Sequence, residues 1–84
     1  MLEVVKLVKG LDQTFSLRKT HVNFSNVLFI EQDESNTELF HKHPERFPEG
    51  LDGRQVFSSI SFSGGATTTY LTVVGSPETI LSKL

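Results

Sequence analysis

The sequence predicts a mainly β, α+β fold: a small bent antiparallel sheet, or a partly open barrel, of about five strands with a short C-terminal helix. Three observations carry that expectation. Residues 56–74 hold two alternating apolar runs on either side of Gly64-Gly65, the pattern of a tight hairpin. Ser76-Pro77-Glu78 opens a helix. Residues 2–31 contain three more runs rich in Val, Leu and Phe, separated by turn formers.

The first run, Leu2 to Lys9, is a strand closed by Gly10, and Leu11-Asp12-Gln13 is a turn. Thr14 to Arg18 is a short strand with Phe15 and Leu17 inward. His21 to Asn26 is ambiguous, because Asn23, Ser25 and Asn26 hydrogen-bond their own backbone in turns. Val27 to Glu31 is a continuous apolar run, as expected of a strand covered on both faces. Residues 32–54 then turn acidic and carry Pro44, Pro48, Gly50 and Gly53, so a long irregular segment is expected within a single domain, 1–84. Three states fit it: a mobile insertion, a lid formed by Leu39, Phe40 and Phe47, or a recognition loop anchored by Phe40 and Phe47.

Parity fixes the faces of the hairpin. With Gly64-Gly65 as a two-residue loop, Phe62 opposes Thr67 and Val56 opposes Val73. One face then gathers Val56, Ile60, Phe62, Leu71 and Val73, while Phe57, Ser59, Ser61, Thr68, Tyr70 and Thr72 share the other. Both glycines are expected at positive φ. In the last element Ser76 is the N-cap, Pro77 the first helical residue and Glu78 the partner of the dipole, with Ile80, Leu81 and Leu84 as its apolar stripe.

A net charge of −2 argues against a broad polyanion-binding field, and the lack of cysteine removes disulfides and thiolate metal sites. The apolar start is short and broken by Glu3 and Lys6, unlike a signal peptide, and no window reaches membrane-spanning length. A soluble, cytoplasmic protein without a membrane partner is expected.

The order Val22-Asn23, Val27 to Glu31, Ile60 to Gly65, Leu71-Thr72-Val73 and Ser76-Pro77-Glu78 resembles the small flagellar-accessory proteins of the FlbD (SwrD) type and phage-borne look-alikes, over about half of the chain. The sequence differs from them in Phe24 after Asn23, in Gly75, and in a longer segment from Ser35 to Arg54. The resemblance implies a small non-enzymatic accessory protein, phage or bacterial.

The residues point away from enzyme chemistry and from a cofactor. Gly64-Gly65 lies in a hairpin and opens no helix, so it is no phosphate loop, and no strained nucleophile elbow is present. His41 and His43 are weak zinc candidates, with Glu38 or His21 as a third ligand, but Lys42 stands between them and repels a cation; a solvated pair is preferred. The expected function is protein–protein binding or self-assembly as a homo-oligomer. Phe57, Tyr70, Phe40 and Phe47 are its interface candidates. Two other readings compete: a single-stranded nucleic-acid binder that stacks bases on Phe57 and Tyr70 beside Arg18, Lys19 and His21, and an inhibitor that blocks a host enzyme with the acidic middle segment.

Overall fold

A computed structural model describes every residue, Met1–Leu84. In chain order the elements are β1 (Leu2–Lys9), β2 (Phe15–Val22), a 3-10 turn (Phe24–Asn26), β3 (Val27–Gln32), α1 (Glu34–Lys42), a second 3-10 turn (Pro44–Arg46), β4 (Phe57–Gly64), β5 (Thr67–Val74) and α2 (Pro77–Leu81). The five strands form one open antiparallel sheet in the order β2-β1-β5-β4-β3, so the expected mainly β class with a short C-terminal helix holds. β1 and β2 pair along their whole length, from Leu2–Val22 to Lys9–Phe15. This hairpin meets the β3-β4-β5 meander through a single ladder pair, Lys6–Val73. The ambiguous stretch resolves into the end of β2 and the 3-10 turn, which Asn23 caps by accepting the Ser25 N–H.

The β4–β5 register lies two residues from the expected one. Gly64 pairs with Thr67, Phe62 with Thr69, Ile60 with Leu71 and Ser58 with Val73, so the loop is Gly65-Ala66. Only Gly65 has positive φ (76°); Gly64 stays in the ladder. One left-handed residue at the first loop position suffices for the type II′ hairpin turn, which frees Gly64. A slip of two preserves parity, so Ile60, Phe62, Leu71 and Val73 do share a face. Val56 precedes the strand.

Each face of the sheet carries its own core. On the first, Leu2, Val4, Val22, Ile60 and Val73 are buried with Ile80 of α2. Ser76 accepts the Thr79 N–H at 3.2 Å and Pro77 starts the helix, as the sequence predicts, but of its stripe only Ile80 is buried; Leu81 and Leu84 are exposed. Gly75, at φ 115°, turns the chain from β5 into α2, a backbone state that an L side chain rarely adopts.

The second core overturns the expectation of an irregular middle. Residues 34–42 form a helix whose N-cap, Asp33, accepts the Asn36 N–H at 3.0 Å. Glu38 and Lys42 pair at 2.8 Å one turn apart. The helix lies on the sheet because Phe40 reaches the buried group Leu7, Phe47 and Phe57, with Phe15, Leu39, Leu51 and Val74 around it. The Thr37 hydroxyl accepts the Phe57 N–H at 3.0 Å, giving a partner to the first donor of β4 that no strand supplies. Of the three states expected for this segment, the structure adopts the lid.

β3 also departs from expectation. It lies at the sheet edge rather than between two strands, and a bulge interrupts its register between Val27 and Phe29. Leu28 (55%) and Phe29 (45%) are exposed, so the run is not covered on both faces.

Candidate interaction surface

Three of the four expected interface aromatics serve the protein's own core. Phe57 is fully buried, and Phe40 and Phe47 nearly so. Their rings pack at 5.9 Å for Phe40–Phe57, edge-on, 5.1 Å for Phe40–Phe47 and 5.6 Å for Phe47–Phe57. Phe15 stacks on Phe47 at 4.4 Å, and the Arg46 guanidinium lies 5.6 Å above Phe15 while donating to the Gln13 carbonyl at 2.8 Å. The reason is positional: Phe57 and Val74 pair at the end of the hairpin where α1 descends, and burying such rings outweighs leaving them in water.

Tyr70, the fourth candidate, stays 63% exposed. Its ladder partner is Ser61, whose other neighbour is Phe29 of β3. Phe29, Ser61 and Tyr70 therefore form a row across three strands on one face, the two aromatic positions roughly 10 Å apart. Ser61 between them is fully buried, and its hydroxyl has no hydrogen-bond partner. Phe29 was not singled out from the sequence because a run of four apolar residues carries no parity. Glu31-Gln32 inside the same strand was the available signal of an exposed edge.

The backbone of β3 is paired on one side only, and the exposed chains along it are Leu28, Phe29, Glu31 and Gln32. It holds no lysine, arginine or proline, so Glu31 and the bulge between Val27 and Phe29 are the protections it carries. The opposite edge, β2, carries Arg18 and Lys19, with Lys19 and His21 both near Glu3, at 4.0 and 3.5 Å.

His41 and His43 lie at the end of α1 rather than on a strand; the His43 Nδ1 is 3.6 Å from a Glu45 oxygen, and no group of three histidine or acidic side chains converges. The larger surface depression, about 370 Å³, is open and lined by Asp52, Arg54, Gln55, Val56, Gly75, Ser76 and Thr79. No helix is long and apolar enough to cross a membrane. The chain matches no family model, no curated protein and no solved structure.

Proposed function

We propose that this protein is a small non-enzymatic accessory protein that works by binding protein, first of all copies of itself, through the β3 side of its sheet. The observation that carries the reading is the β3 edge, paired on one side only and free of lysine, arginine and proline, lying beside the exposed pair Phe29 and Tyr70. An unpaired strand offers a row of free N–H and C=O groups, and adjacent aromatics supply the apolar area that concentrates binding energy. The accessory role follows the resemblance to the flagellar and phage proteins and adds no chemistry to it.

Light scattering over a range of concentrations tests the reading. The wild type should exceed its 9.4 kDa chain mass, and a Phe29→Ser, Tyr70→Ser variant should fall to that mass while melting as the wild type does. A wild type that stays monomeric throughout overturns it.

Single-stranded nucleic acid is the second reading, favoured by the same two aromatics on one sheet face with Lys19 on that face at the far edge. Oligonucleotide binding that weakens steeply with salt would put it first, since phosphate contacts release counterions. Phe40 and Phe47 are buried and do not serve as anchors of a recognition loop, so an inhibitor would act through the acidic side chains of the middle segment alone.

A further inference from the structure

Resting on the self-association reading, we infer that the β3 edge of one copy takes the β2 edge of another, in parallel, so that the sheet continues head to tail from copy to copy. Direction fixes how such a pair lies; side-chain order and charge select β2 over a second β3.

Direction comes first. Five strands alternating in direction leave the two edge strands, β2 and β3, running the same way. A second copy that offers β2 with its faces preserved therefore lays it parallel to β3, whereas one that offers β3 lays it antiparallel.

Side-chain order comes next. On the face of Phe29 and Tyr70, β3 carries Phe29 and then Glu31. On the same face β2 carries Leu17 and then Lys19: Leu17 pairs with Leu7, which belongs to the core on that side, and Lys19 pairs with Val5. Leu17 and Lys19 are both exposed. Laid parallel, Leu17 meets Phe29 and Lys19 meets Glu31. A second β3, laid antiparallel over the same two positions, sets Phe29 of each copy against Glu31 of the other, which is unfavourable.

Charge is the third. β2 is flanked by cations, Arg18 and Lys19, while Glu31 is followed by Asp33 and Glu34 at the start of α1. Two β2 edges repel one another; β2 against β3 joins opposite signs. Exposed pairs of this kind add little affinity but choose the partner and the register. A heterologous contact of this type leaves one β2 and one β3 edge free in every assembly, so growth ends only where a ring closes.

The test uses complementary blocked variants of the full chain. One carries Phe29→Glu, the other Leu17→Glu and Lys19→Glu; all three positions are exposed, and the two altered edges, both acidic, repel one another. Each variant alone should sediment as a monomer. Mixed, they should form a dimer and nothing larger, through the intact β3 of one and the intact β2 of the other, at twice the 9.4 kDa chain mass. Wild type should keep growing with concentration past the dimer or stop at a closed ring. If the variant blocked on β2 still dimerises alone, the pairing is β3 with β3: this inference falls and self-association stands. If both variants melt as the wild type does and their mixture stays monomeric, this inference also falls. A monomeric wild type overturns both. Should either variant unfold, Glu31→Lys and Lys19→Glu singly should each reduce growth and the two in one chain should restore it; growth unchanged in both single variants overturns the inference.

Discussion

Two buried serines on β4 show how burial and hydrogen bonding separate at the level of single residues. Ser58 and Ser61 are both fully buried, yet Ser58 donates to the Gly75 carbonyl at 2.6 Å while Ser61 donates to nothing. Removing Ser58's hydroxyl leaves a carbonyl beside the φ 115° turn without that donor, whereas removing Ser61's takes away an unpaired group. Ser58→Ala should therefore cost about 1–3 kcal/mol by chemical denaturation, and Ser61→Ala should be neutral or stabilising. A Ser61→Ala loss equal to that of Ser58→Ala would mean the Ser61 hydroxyl is paired after all. Asp12 gives a second residue-scale expectation. Hydrogen bonds from the Thr14 hydroxyl (2.6 Å) and the Thr14 N–H (3.1 Å) favour its carboxylate and hold its pKa below the usual aspartate value. The folded pKa is the lower one, so the contribution to stability is complete above the unfolded aspartate pKa and is lost as pH falls through the folded value. Carbon-detected NMR titration should place the Asp12 midpoint below the usual aspartate value, and Thr14→Val, which keeps the N–H bond, should bring it only part of the way back.

Among the elements, α1 has the most consequence, since it converts an acidic connection into the cover of the second core. Its grip is Phe40 on Phe57, the Thr37–Phe57 hydrogen bond, and Arg46 clasping the β1–β2 turn at Gln13. The segment between the second 3-10 turn and β4 contains no helix or strand, and the Arg54 side chain there is 96% exposed. Trypsin should cut first after Arg54, ahead of Lys42 and Arg46, which belong to the docked lid. Phe40→Ala, a truncation that costs roughly 3–5 kcal/mol in a packed core, should move early cleavage to Lys42 and Arg46. Early cleavage at those two sites in the wild type would show that the lid opens on its own. The cues for α1 were present in the sequence: Asp33 as a cap, Glu38 and Lys42 one turn apart, and Pro44 as a stop. They were masked by Ser35, Asn36 and Thr37, which favour turns over helix in isolation. Packing on Phe57 supplies what local propensity lacks.

For the whole molecule, the sheet divides its labour by position. Its centre supports two small cores, its β2 edge is basic, and its β3 edge carries Glu31 with the exposed Phe29. What the amino-acid sequence determined by itself was set by short-range rules: β1 to the residue, the hairpin's parity, the N-cap of α2, and the mainly β class. Alternation and capping act over two to four residues and need no partner. Strand order, the two-residue shift of register, the burial of Phe57, Phe40 and Phe47, and the edge position of Phe29 belong to the tertiary structure. Each depends on which distant segment arrives to cover an apolar surface. A Phe facing α1 and a Phe facing water look the same along the chain, because burial is a property of the assembled faces and not of the residue.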